Sequence, residues 1–153
     1  MFLNFFKKKA EDYFTPIEKK TIVAAIEKAE LQTSGEVRVF VESKCNYVNA
    51  IDRAKELFES LDMHKTQDKN AVIVYVALKD RQLAIYADEA IYQIAGKAFW
   101  HNQVITMLQH FNSNDYVDGI AAVVNQIGKA LQANFPYQKN DINELPNDIV
   151  FGK

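Results

Sequence analysis

The sequence of 153 residues contains only one cysteine and no long apolar run. Cys45 therefore has no cysteine partner within the chain, so an internal disulfide is excluded, and the three histidines show no metal-ligand spacing with it. These features argue against a disulfide scaffold and against a structural zinc site. Nothing approaches the run of about 20 apolar residues that a membrane-spanning helix requires. We therefore expect no stable membrane anchor.

A strong excess of charge of either sign is also missing. The chain has 18 lysine and arginine residues against 20 aspartate and glutamate residues, which gives a formal net charge of −2, and the lysines are spread along it. Such a balance provides no basic field that could neutralise a phosphate backbone. Nucleic acid is therefore not an expected partner.

The first residues place apolar side chains before Lys7, Lys8 and Lys9, which reverses the order found in a secretory signal peptide. We therefore expect a cytoplasmic protein. Docking of this segment on the protein's own core is the simpler interpretation. Contact of its phenylalanines with a membrane surface or a partner protein is the alternative.

The chain does have enough apolar content for one sizeable core, because 48% of its residues are hydrophobic and 12% are aromatic. We predict an N-terminal segment over residues 1–14, one α/β domain over residues 15–135, and a C-terminal extension over residues 136–153 that packs on the domain. The apolar residues expected to hold the extension are Leu145, Ile149 and Phe151.

The first predicted helix has a full set of start signals, with Thr15 as N-cap, Pro16 at the first helical position and Glu18 for a capping box. Gly35 can adopt the left-handed conformation that ends a helix, and we expect it to end this one. The strand that follows, over residues 36–42, alternates inward valines with outward charges.

Apolar residues then recur at helical spacing over residues 51–61, and residues 71–78 are apolar on both faces of a predicted strand. Helices should cover such a strand on each side. The helix between the first two strands is long enough for a right-handed crossover, so these strands should be parallel. Only residues 79–81 precede a third strand at residues 82–87, which predicts an antiparallel hairpin.

Two further helices should follow the hairpin. The first carries an apolar face of Trp100, Val104, Leu108 and Phe111, and the second extends from Tyr116 to Leu131. The predicted fold class is therefore α/β, as a three-layer α/β/α sandwich with a small mixed central sheet.

In this topology, the starts of the first two strands and the end of the third lie at one edge of the sheet. Four carboxylates fall there, at Glu36, Asp68, Asp88 and Glu89. Oxygen ligands of this kind suit Ca²⁺ or Mg²⁺, so we predict a divalent-cation site. The alternative is that these acids are solvated strand ends or helix caps, and Glu89 lies where a helix dipole favours negative charge. Weaker candidates for the cation are Asn70, Asp80, Asp115 and Asp118.

The residues Lys79, Asp80 and Arg81 fall at the opposite edge, where the two cations could bind an anion. The simpler interpretation is hairpin-turn chemistry, in which Asp80 forms a hydrogen bond with its own backbone. Asp115 likewise suits a cap or dipole partner at the start of the last helix.

Recognisable catalytic motifs are missing. The sequence has no glycine-rich phosphate loop, no nucleophile elbow and no supported Ser-His-Asp pattern. A thiol phosphatase would need an arginine six residues after Cys45, where this chain has Ile51. The residues alone therefore predict no catalytic site.

Four stretches resemble the TPM domain family in order and spacing, from Phe14 to Phe135: "FTPIEKKTIVAAIEKAELQTSGEVRVFVES", "DKNAVIVYVALKDRQLAIYADEAI", "AFW" and "NDYVDGIAAVVNQIG". The closing stretch resembles the tail of the short bacterial branch of that family. The resemblance implies a helix-covered sheet of Rossmann-like appearance and divalent-cation binding. It also implies the acid phosphatase activity proposed for plant thylakoid relatives in photosystem II repair.

The chain departs from the family pattern at the predicted cation edge. Many members have Asp-Asn-Gly before the second strand, whereas this chain has Lys69-Asn70-Ala71 and places its acid at Asp68. After the third strand, the residues from Asp88 onward lack the family's glycine. Because oxygen ligands remain, these changes weaken the inference of catalysis more than that of cation binding.

We therefore expect an accessory or interaction module that takes a divalent cation at Glu36, Asp68, Asp88 and Glu89 and acts through a protein partner. The alternative is a metal-dependent acid phosphatase acting on phosphomonoesters, in which the ion would polarise a phosphoryl oxygen. A purely structural domain with solvated acids is the third interpretation.

Overall fold

The computed structural model describes residues 9–137 and 147–152 of the chain. The helices in this part are α1 (Pro16–Glu30), α2 (Ala50–Ser60), α3 (Glu89–Ala95), α4 (Lys97–Asn112) and α5 (Tyr116–Asn134). The strands are β1 (Glu36–Glu42), β2 (Ala71–Ala77), β3 (Gln82–Ala87) and β4 (Val150–Phe151). None of the described helices is long and apolar enough to cross a membrane.

The strands form one mixed sheet in the order β3-β2-β1-β4. β1 and β2 are parallel, with Glu36 opposite Ala71, and β2 and β3 are antiparallel, with Val72 opposite Ala87. The predicted parallel pair and the predicted hairpin are therefore confirmed. The short β4 has no counterpart in the sequence prediction; it runs parallel to β1 beside Phe40.

The central strand β2 is buried on both faces, as its apolar sequence predicts. All seven of its residues are buried. Val72, Val74 and Val76 pack in one core with residues of α1, α4 and α5, whereas Ile73 and Tyr75 pack in a second core with residues of α2. These two cores confirm the three-layer α/β/α sandwich.

The start of α1 follows the capping signals in the sequence. The Thr15 hydroxyl accepts a hydrogen bond from the Glu18 backbone N–H at 3.1 Å, and the Glu18 carboxylate accepts one from the Thr15 N–H at 2.8 Å. Pro16 occupies the first helical position. The predicted capping box is therefore confirmed, and the helix buries Ile22 and Ile26 in the core.

Gly35 does not end α1, contrary to the prediction. The helix ends at Glu30, and Gly96 is the only described glycine with a positive φ. A Cβ at Gly35 would lie 2.6 Å from Leu131 Cδ2 and 3.0 Å from the Asn70 carbonyl oxygen. Gly35 is therefore required for the close approach of α5 to the start of β1 and not for a left-handed turn.

The single helix predicted after β3 is in fact two helices, α3 and α4. Gly96 between them has a φ of +89°, a conformation that L side chains rarely adopt, and it interrupts the helix. Trp100 and Phe111 are buried as predicted, but Gln103 is also buried and Leu108 is 43% exposed. Because the buried face of α4 includes the polar Gln103, the apolar pattern of the sequence did not show which face of the helix is buried.

The described part of the C-terminal extension packs on the domain. Ile149 is buried, and the ring centroids of Phe151 and Phe14 are 5.8 Å apart. The Gly152 N–H donates a hydrogen bond to β1 at 2.8 Å. Leu145, the third apolar residue expected to hold the extension, lies outside the described residues.

The crossing of α1 and α5 allows a test of this packing. A Cβ at Gly128 would lie 2.6 Å from Ala29 Cβ and 2.9 Å from Ala29 Cα, so the two helices would have to separate. Alanine is favoured over glycine within a helix by about 1 kcal/mol. We nevertheless expect the steric clash to dominate and Gly128→Ala to lower the free energy of unfolding by about 1–3 kcal/mol. Urea unfolding followed by circular dichroism would measure this change.

Lys129→Ala is the matched control, because Lys129 is exposed on the same helix. We expect its free energy of unfolding to stay within about 0.5 kcal/mol of the wild-type value. A Gly128→Ala variant as stable as the wild type would contradict the close contact between the helices.

Candidate functional site

The strand register brings the predicted acidic positions to one edge of the sheet. Glu36 begins β1, Asp68 and Asn70 precede β2, and Asp88 and Glu89 follow β3. Glu36 and Asn70 are buried, Asp88 is half-buried, and the other two are exposed. Within residues 9–137 and 147–152, no three histidine, cysteine, aspartate or glutamate side chains are grouped closely enough to hold a metal ion. The shared edge is confirmed, and the cation site stays a prediction.

Glu36 is paired with a second carboxyl group, that of Glu30 at the end of α1. Glu36 is 2% exposed, and its side chain forms a hydrogen bond with that of Glu30. Burial, together with the hydrogen bond and negative charge of Glu36, raises the pKa of Glu30 to about 9. A hydrogen bond of 2.7 Å from the Val37 N–H and the charge of Arg38 act in the opposite direction. Glu30 therefore holds a proton at neutral pH, which it shares with Glu36.

The hydrogen bond with Glu30 gives Glu36, the first residue of β1, a structural role that does not require a bound cation. Arg38 lies near both acids, and burial lowers the pKa of its guanidinium although the two carboxyl groups oppose this effect. Sequence reasoning missed Glu30, because it is one of several charged residues on α1 and only the tertiary fold shows which one faces β1.

Asn70 connects the loop before β2 to the start of β1. Its side-chain amide donates a hydrogen bond to Ser34 Oγ at 3.3 Å. Its backbone carbonyl oxygen accepts a hydrogen bond from the Glu36 N–H at 3.3 Å. Its own N–H donates to Thr66 Oγ1 at 3.4 Å. Asn70 therefore holds the loops of this edge together.

Asp88 is the N-cap of α3, and only one of its two carboxylate oxygens accepts a hydrogen bond from the described residues. Its Oδ1 accepts a hydrogen bond from the Glu89 N–H at 2.7 Å. Its Oδ2 is buried and has no hydrogen-bond partner among the described residues. Glu89 is the first residue of α3, where the helix dipole favours a negative charge. A buried acceptor without a donor costs about 1–3 kcal/mol, so Asp88 Oδ2 is a favourable place for a ligand.

Asp88 and Glu89 line a groove with a volume of about 660 Å³. Residues 85–87 of β3 line the same groove, together with residues of α2, α3 and α4. Trp100 Nε1 donates to the Tyr92 carbonyl oxygen at 3.2 Å, and the two rings are nearly parallel with centroids 6.3 Å apart. These contacts fix one wall of the groove. The other wall residues are Ile51, Lys55, Gln93, Lys97, His101 and Val104.

The opposite edge of the sheet holds an ion pair between the buried Glu42 and the half-buried Arg53. The Glu42 carboxylate accepts hydrogen bonds from Arg53 Nε at 2.9 Å and from Arg53 Nη2 at 3.0 Å. The Tyr75 hydroxyl donates another to the same carboxylate. The bond to Glu42 raises the pKa of Arg53, and burial followed by the Glu42 bond raises that of Tyr75. The cluster therefore provides hydrogen-bond partners for the Glu42 carboxylate within the fold and connects the end of β1 to α2 and β2.

Three of the weaker cation candidates, Asp80, Asp115 and Asp118, do not line the groove. Asp80 lies in the turn between β2 and β3, and its carboxylate accepts a hydrogen bond from the Cys45 N–H at 2.8 Å, which connects the turn to the loop after β1. Asp115 precedes α5 but forms no side-chain capping bond, since its carboxylate faces His110 Nδ1 at 3.3 Å. Asp118 is exposed in the first turn of α5.

The raised pKa of Glu30 makes stability depend on pH. The native state binds a proton that the unfolded state releases between the ordinary value of 4.5 and about 9. The contribution of Glu30 to stability is therefore full at acidic pH and is lost as the pH rises toward the folded-state pKa, at up to about 1.4 kcal/mol per pH unit. Because Glu30→Gln cannot titrate, we expect its free energy of unfolding to change less than that of the wild type between about pH 5 and about pH 9.

Urea unfolding at several pH values would measure this difference. Glu27→Gln is the matched control, because it removes a carboxylate from an exposed position on the same helix and should keep the wild-type pH dependence. Parallel stability curves for the wild type and Glu30→Gln would contradict the shared proton.

Comparisons with known proteins agree with this fold. Residues 8–130 match the sequence model of the TPM domain. The NMR structure of the BA42 protein from the psychrophilic bacterium Bizionia argentinensis is 37% identical, with a TM-score of 0.84 over 93% of this chain and 97% of that one. The N-terminal domain of the cg2496 protein from Corynebacterium glutamicum is 14% identical, with a TM-score of 0.64 over 86% of this chain and 81% of that one, which indicates a similar fold. No curated protein sequence matches the chain.

Proposed function

The chain belongs to the TPM domain family, and we propose that it is an accessory module that binds a divalent cation, Ca²⁺ or Mg²⁺, at Asp88 and Glu89 and acts through a protein partner. The observation that carries the proposal is the buried Asp88 Oδ2, which has no hydrogen-bond partner among the described residues. A cation beside it would satisfy this oxygen.

Asp88 is suited to this role because its other oxygen is already held. The hydrogen bond from the Glu89 N–H orients the carboxylate at the start of α3, so that little side-chain freedom would be lost on binding. Glu89 lines the same groove and would supply a second carboxylate. Water would complete the oxygen shell, as is usual for Mg²⁺ and common for Ca²⁺.

The other two predicted ligands, Glu36 and Asp68, are less suited to bind the cation. Glu36 is buried beside Glu30 and shares its proton, which makes it a poorer ligand for a cation. Asp68 is exposed in the loop before β2 and is not among the residues that line the groove. The proposal therefore rests on Asp88, with Glu89 as its neighbour.

Hydrolysis of phosphomonoesters is the second candidate function. Its support is the presence of Lys55 and Lys97 in the same groove as Asp88, since cationic side chains suit a phosphate group. A bound cation would add polarisation of a phosphoryl oxygen.

Thermal melting with millimolar Ca²⁺ or Mg²⁺ tests cation binding. A ligand that binds only the native state at about ten times its dissociation constant stabilises it by about 1.4 kcal/mol, so we expect the melting temperature of the wild type to rise by about 3–5 °C. Asp88→Asn should lose this rise but keep its fold, because asparagine also serves as an N-cap. Glu27→Gln, which removes an exposed carboxylate elsewhere, should keep the rise.

Two results would count against the proposal. If neither ion raises the melting temperature of the wild type, no cation binds. If Asp88→Asn responds as the wild type does, the ion binds elsewhere. Turnover of para-nitrophenyl phosphate that requires the ion and is lost in Asp88→Asn would favour the phosphatase function over the accessory role.

A further inference from the structure

We draw no further inference here: the strongest candidate, the groove beside the outer edge of β3, is lined by the acidic Asp88 and Glu89 as well as by the basic Lys55 and Lys97, and nothing within residues 9–137 and 147–152 shows what covers it.

Discussion

The burial of β2 on both faces is the constraint on which the rest of the structure depends. A strand that is apolar on both sides must be covered on both sides, and the chain supplies α2 for one face and α1, α4 and α5 for the other. Tyr75 shows the consequence, because its buried ring leaves a hydroxyl that needs the Glu42 carboxylate at the end of the neighbouring strand. Polar chemistry is thereby confined to the ends of the strands and to the outer edge of β3.

The two ends of the parallel pair solve the burial of a carboxyl group in different ways. The Glu42 carboxylate accepts three hydrogen bonds, two from Arg53 and one from Tyr75. Glu36 instead shares a proton with Glu30, since two ionised carboxylates side by side in a buried setting would be unfavourable. The second solution removes a negative charge from the edge at which four acids are found. The Asp88 carboxylate, by contrast, is oriented at the start of α3, and its Oδ2 accepts no hydrogen bond from the described residues.

Local patterns predicted most of this fold, because the capping box of α1, the parallel pair and the hairpin depend on neighbouring residues. The missed features depend on contacts between distant parts of the chain. Gly35 is small because α5 passes close to it, which no short window of sequence reveals. Glu30 became relevant only when α1 was placed against β1. The acidic edge followed from the strand order alone, whereas the groove arises where three helices meet around β3, and nothing in the sequence pattern encodes that meeting.

The two outer edges of the sheet are finished differently. At β1, the backbone approaches so closely that a Cβ at Gly152 would lie 2.9 Å from Glu42 Cβ, so the C-terminal strand packs directly against the buried Glu42. At β3, Lys55 and Lys97 flank an edge that no described strand covers. Lysines beside a strand edge discourage pairing with neutral or basic chains, because their charge is desolvated without compensation.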